Sequence, residues 1–240
     1  MTKIIDNGKE ALSSVLNKEM SQINEVAIAS AYFNMAGYKA LSAGLSDKPL
    51  KLLLGREPSE SVKFEEEVIS RLEEFDVEFG TEEKEILGNE IMQNEDDENY
   101  FSRLNDAVKY FSKTNVEIRR VKGRFFHGKA YVGARPSLHD VNSGFAIVGS
   151  SNFTGGGLAG NKELNMLTTD REGLKELVKW FFSLWDDTNS VDFKSKFLEL
   201  LKLHIMFREV TNYFLYDGYV TVTLLDIVIF FYISQLALFH

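Results

Sequence analysis

A histidine, a lysine, a serine, an asparagine and a glutamate fall within 37 residues of this 240-residue chain, at spacings that could handle a phosphodiester. His127-Gly128-Lys129 comes first, then Gly149-Ser150-Ser151-Asn152-Phe153-Thr154, with Glu163 eleven residues after the asparagine. An imidazole is nucleophilic when neutral and easily protonated afterwards, so His127 can attack phosphorus. Lys129 can neutralise a nonbridging oxygen. Asn152 offers two amide donors and Ser150 a hydroxyl for the equatorial oxygens of an in-line displacement. Glu163 can accept the other ring N–H of His127 and so fix its tautomer. This chemistry calls for no metal ligand set and no cofactor.

Elements that would position these groups are visible in the apolar pattern. Leu12, Val15, Leu16 and Met20 give Gly8 to Met20 the spacing of an amphipathic helix. The run Val26 to Phe33 reads as a strand, Tyr38 to Leu45 as a helix and Leu50 to Leu54 as a second buried strand, a β-α-β rhythm that predicts an α/β fold. Gly55-Arg56-Glu57-Pro58 closes that strand, and its loop position makes Arg56 a candidate phosphate contact. Three more strands are expected at Val116 to Val121, Lys129 to Val132 and Phe145 to Val148, with a loop from Gly133 to Gly144. The strand period of two predicts that His127 and Lys129 share a face and one phosphate. Small residues from Gly149 to Asn152 let backbone N–H groups approach an anion, and Gly155-Gly156-Gly157 extends that geometry.

The net charge of −9 is unevenly spread. Residues 60–100 hold 16 Asp/Glu against three Lys/Arg, a local −13 that leaves +4 for everything else. Arg119, Arg120, Lys122, Arg124, Lys129 and Arg135 crowd the approach to His127, and Arg124 joins Arg56 as a candidate substrate-phosphate contact. A local positive potential attracts a phosphate-bearing ligand even when the total is acidic. The acidic stretch, 59–111, reads as a helical insertion in which Phe64, Val68, Leu72 and Phe75 mark one apolar face. Asn94 to Asn99 is its expected exposed loop. Absence of cysteine excludes disulfides, thiolate metal sites and a cysteine nucleophile. The N-terminus lacks the apolar region of a signal peptide, which fits a cytoplasmic setting.

Set together, these motifs resemble those of the phospholipase D superfamily: H-x-K at His127 and Lys129, G-S-x-N at Ser150 and Asn152, and a downstream acid at Glu163. The superfamily often carries an aspartate five residues after the lysine, where this chain has Ala134. Ile4 to Asn7, Ala27 to Phe33 and Leu53 to Pro58 are further similar to the phospholipase D-like domain at the front of some bacterial helicases, so residues 1–188 are expected to form that domain. The resemblance implies a mixed β-sheet between helices and a metal-independent reaction through a covalent phosphohistidine. It also implies two copies of the motif per site. This chain has one, because His139, His204 and His240 are not followed by lysine two residues later. A homodimer with the two His127 side chains meeting across its axis is therefore expected.

Residues 189–240 are expected to form a helical, apolar C-terminal extension, beyond a closing helix from Leu174 to Trp185. Tyr219 to Phe239 has only Asp226 charged over 21 residues, long enough for a bilayer core of about 30 Å. A mid-segment aspartate costs about 2.5–3.5 kcal/mol on insertion and no Lys or Arg follows, so a buried helix or partner-facing surface fits better than a membrane span. The favoured function is a DNA nuclease. Its alternatives are a non-catalytic nucleic-acid-binding module that accompanies a helicase or restriction system, and a phospholipid hydrolase or transferase.

Overall fold

The fold is described from a computed structural model, in which residues 2–55, 100–123, 126–199 and 201–202 are defined. Arg56, Arg124, the acidic stretch through Asn99, and Tyr219 to Phe239 lie outside the described residues.

The elements run β1 (Thr2–Ile5), α1 (Leu12–Met20), β2 (Glu25–Ser30), α2 (Met35–Leu45), β3 (Leu50–Leu54), α3 (Tyr100–Phe111), β4 (Val116–Val121), β5 (Ala130–Pro136), β6 (Val141–Gly149), β7 (Asn165–Thr168), α4 (Arg171–Trp185) and β8 (Ser190–Asp192). All eight strands form one mixed sheet in the order β1-β7-β6-β5-β2-β3-β4-β8. The centre, β2-β3-β4, is parallel, and the other neighbours pair antiparallel. Helices flank this sheet, so the predicted mixed α/β class holds. Chain contacts divide the molecule into a unit of Met1–Ser59 with Ser102–Leu198, which holds the whole sheet, and a unit of Glu60–Phe101 with Glu199–His240. β8, Phe193 and Phe197 thus belong with the sheet, β8 pairing β4 and Phe197 packing on Phe33 and Phe111.

Strand alternation explains the two layers. Ala27, Ala29, Ala130, Ala134 and Ala146 line one face, and these short side chains leave room for Leu174, Val178, Phe181 and Trp185 of α4 to pack directly on the strands. The intervening residues, Val26, Ile28, Leu52 and Tyr131 among them, are equally buried on the opposite face.

The strands outrun their predicted limits. Gly133 to Gly144 reads as a loop, yet β5 continues to Pro136 and β6 begins at Val141. Gly133 is there because the Phe145 ring lies over it: a Cβ would sit 2.3 Å from that ring. Pro136 stands at the strand end, beside a register shift between Arg135 and Pro136, where a missing N–H costs no ladder bond.

Candidate active site

The site forms where β2 and β6 end and β5 begins, because antiparallel pairing of β5 with both neighbours brings these three termini to one edge. His127 is exposed and Lys129 is 4% exposed. Neither lies in the strand, which starts at Ala130, so the expected shared face does not describe them. Lys129 instead folds back, and its Nζ donates to the His127 carbonyl oxygen at 3.0 Å. The ammonium thereby braces the backbone that carries the imidazole.

The residue between them, Gly128, is closely packed. A Cβ on Gly128 would lie 3.0 Å from Trp180 Cη2 and Cζ2 and 3.1 Å from the Phe126 ring. Trp180, on α4, also stacks on Phe126 with centroids 6.4 Å apart and planes at 26°. One indole thus pins both flanks of this short arm, a role that helical spacing alone did not distinguish from ordinary core packing.

On the other side of the site, Asn152 is clamped. Its Oδ1 accepts from the Tyr32 backbone N–H at 3.2 Å and lies 3.3 Å from Ser30 Oγ. A backbone N–H can only donate, which fixes the amide's orientation and turns Nδ2 away from it. Among the described residues Nδ2 meets no protein acceptor, so both its hydrogens remain for a ligand. Ser30 is fully buried, donates to the Tyr32 carbonyl at 2.6 Å and accepts from Phe153 N–H at 2.8 Å.

Ser150 Oγ donates to the Glu163 carboxylate and accepts from Leu164 N–H at 3.0 Å. The structure therefore brings Glu163 to Ser150, uniting the two acceptor and donor groups downstream of β6. Beneath them is a buried layer. Asn165 Nδ2 donates to Ser151 Oγ at 2.8 Å, and Tyr131 Oη donates to the Ser151 carbonyl at 3.1 Å. Burial pushes the Tyr131 hydroxyl well above its ordinary pKa, and the Glu163 charge adds to the effect. A neutral phenol is thereby kept as a hydrogen-bond donor. Ser30, Ser151, Tyr131 and Asn165 escaped the sequence reading. A buried hydroxyl within the apolar run Val26 to Phe33 was the one available signal.

Several expected contributors are employed elsewhere. Arg119 donates to the Trp185 carbonyl at 2.7 Å and lies 5.1 Å from that ring, while Arg120 lies 4.9 Å from the Phe193 ring. Arg135 is near the far end of β5, five residues beyond Ala130 and hence roughly 16 Å from the site by strand rise. Ala134 is fully buried on the α4 face at that same far end.

An exposed imidazole, a buried lysine behind it and a clamped amide at the edge of a mixed sheet define a phospholipase D-like domain. The family described as cardiolipin synthase, PLD-like domain, matches residues 18–185, and the chain belongs to it. Solved structures with similar folds include NucT from Helicobacter pylori (12% identity, TM-score 0.47, 80% of this chain and 99% of that one) and the phospholipase D family member Nuc from Salmonella typhimurium (10% identity, TM-score 0.45, 80% and 97%). The archaeal chromatin protein TrmBL2 is a more distant likeness (12% identity, TM-score 0.37, 77% and 52%). No curated protein matches the chain in sequence. Among the described residues no helix is long and apolar enough to cross a membrane.

Proposed function

We propose that this protein is a metal-independent phosphodiesterase that cuts nucleic-acid backbones, most readily DNA, through His127 at a site completed by a second copy of the chain. The observation that carries the reading is an Asn152 amide held by its Oδ1 with its donors unspent, on the sheet edge where the exposed His127 precedes β5. In the first step a His127 ring nitrogen bonds to phosphorus while the bond to the leaving oxygen breaks, and that oxygen takes a proton from the partner's His127. Water then gives a proton back to the partner's imidazole as it attacks phosphorus, and the bond to His127 breaks. Lys129 and Asn152 hold the charge on the nonbridging oxygens in both steps. Glu163 orients a His127 ring, and Ser150 shares that carboxylate.

A row of exposed apolar side chains supports the second copy. Ile4 pairs with Met166, and Met166 with Val148, so the three stand side by side across β1, β7 and β6. They are 60%, 42% and 37% exposed, and Leu164, next to Glu163, is 63% exposed. An apolar strip that runs up to the site suits a self-complementary two-fold contact. Arg56 and Arg124, by their place in sequence, would extend the phosphate-binding surface.

Incubation with supercoiled plasmid and with single-stranded DNA in EDTA, beside His127→Ala, tests the reading. Cleavage in EDTA that disappears in the variant is expected. Cleavage that persists in His127→Ala overturns the site, and cleavage abolished by EDTA overturns the mechanism. Salt-sensitive DNA binding without turnover would instead mark a binding module. Turnover of phosphatidylglycerol vesicles in place of DNA would move the substrate class to lipids.

A further inference from the structure

A groove with a volume of about 360 Å³ lies between α2 and α3, walled by Lys39, Arg103, Lys109 and Lys113 and by the carboxylates of Asp47 and Asp106. Among the described residues, setting aside Arg103 and the Lys113–Asp47 pair, Lys39 and Lys109 face the single carboxylate of Asp106, in a chain whose total is −9. It is separate from the His127 site. Lys113 lies three residues before Val116, which pairs with Leu50 at the start of β3, whereas the His127 site is at the end of β2, where Ser30 pairs with Leu54. The length of β3 therefore separates the two, roughly 15 Å.

Only part of the groove's charge is spent on itself. Lys113 is committed to Asp47 at 2.5 Å and to the Ser46 carbonyl at 3.3 Å. Lys39, Lys109 and Asp106 differ: among the described residues no ion pair or side-chain hydrogen bond engages their charged ends. The floor is firm, because Tyr38 and Tyr110 are buried and their hydroxyls are bonded to the Asp106 carbonyl at 3.5 Å and the Lys48 carbonyl at 3.2 Å. At the rim Ser46 is held at φ 33°, ψ −107°, a conformation non-glycine residues seldom adopt and one found disproportionately at ligand sites.

Unneutralised ammoniums call for an anion of high charge density, and an unengaged carboxylate can only accept hydrogen bonds, so it calls for hydroxyl groups. A ligand bearing both satisfies the groove, whose volume is within the range of small-molecule sites. We propose that the groove between α2 and α3 binds a sugar phosphate, with the phosphate on Lys39 and Lys109 and the sugar hydroxyls on Asp106. The sugar phosphate can come from a free metabolite or from the phosphorylated end of a nucleic-acid strand. Occupancy is positioned to be felt at the other site, since Asn34 Oδ1 accepts both from Gly37 N–H in the first turn of α2 at 2.9 Å and from Gly155 N–H just past Asn152 at 3.1 Å.

Three probes test this on the full chain by thermal shift and equilibrium dialysis: ribose 5-phosphate, inorganic phosphate and a 5′-phosphorylated oligonucleotide. Ribose 5-phosphate is expected to bind the wild type and His127→Ala alike, and the double variant Lys39→Glu, Lys109→Glu at least about tenfold more weakly. Asp106→Asn is expected to erase the preference for ribose 5-phosphate over inorganic phosphate. Binding of the oligonucleotide that needs its 5′-phosphate and weakens in Lys39→Glu, Lys109→Glu would identify a strand end as the source; oligonucleotide binding indifferent to both, with ribose 5-phosphate binding lost in the double variant, would identify a metabolite. Binding lost in His127→Ala but kept in the double variant would place the ligand at the catalytic edge and overturn the proposal. So would the absence of binding by either sugar phosphate to the wild type. Circular dichroism on each variant separates lost binding from lost fold, and because no arm measures cleavage, the result stands apart from that of the nuclease assay.

Discussion

His127 and Asn152 sit on opposite sides of one site and are held by opposite means. Asn152 is fixed by hydrogen bonds that reach across the chain to Ser30 and Tyr32, with a second buried layer of Ser151, Asn165 and Tyr131 alongside. His127 is held locally: a hydrogen bond from the neighbouring Lys129 Nζ braces its backbone, a glycine packed against Trp180 flanks it, and the residue is exposed. Groups that stabilise charge gain most from rigid preorganisation. The nucleophile and two-chain centre proposed for His127 would gain from exposure. The contrast assigns different failures to the two sides, and substitutions can separate them.

The largest effect is expected from Asn152→Asp. The new carboxylate still accepts from Tyr32 N–H, so the fold should survive, but the donor becomes a charge facing phosphate. Cleavage should fall by on the order of 10³-fold with the melting temperature little changed. Asn152→Ala should fail differently. It leaves the Tyr32 N–H without its acceptor, at about 1–3 kcal/mol of stability in denaturant titration, and lowers kcat by roughly 10²-fold.

Gly128→Ala probes the packed side. Its Cβ must displace an indole only 3.0 Å away, so a loss of about 1–2 kcal/mol and a kcat reduced by roughly tenfold with KM retained are expected. Adding Trp180→Leu should recover part of the stability. A Gly128→Ala enzyme with unaltered kcat would show that Trp180 does not position His127.

Tyr131→Phe carries the smallest effect. Loss of the bond to the Ser151 carbonyl should cost about 1 kcal/mol near neutrality. The sign with pH follows from burial, which raises this hydroxyl's pKa in the folded state above the unfolded value of 10.0. The folded protein then keeps a proton that the unfolded chain releases, so this stability is fully present below pH 10 and declines as pH rises above it. Urea midpoints measured from pH 8 to 11 should fall less steeply in Tyr131→Phe than in the wild type.

Much of the scaffold was legible because burial on both faces leaves continuous apolar runs. Val26 to Ser30 and Leu50 to Leu54 could be read directly, and so could α4 from Leu174, Leu177, Val178 and Phe181. β1, β7 and β8 are three or four residues long, too short to show a period, and exist through pairing with distant strands. At the candidate site the residues proposed for chemistry stand out by type and spacing. Their supports do not, since Ser30 and Asn152 are 122 positions apart and no local pattern encodes that contact. The basic cluster misled for a related reason: charge counted along the chain ignores that Arg119 lies against Trp185 and that Arg135 is at the other end of its strand.

If two chains build one catalytic centre, dilution with inactive chains must lower the activity of the active ones. Wild type and His127→Ala are unfolded together, refolded at varied ratios and assayed on DNA in EDTA. If each centre draws a histidine from both chains, activity per wild-type chain falls in proportion to the wild-type fraction, to about half in an equal mixture. Activity per wild-type chain that stays constant at every ratio would contradict the account.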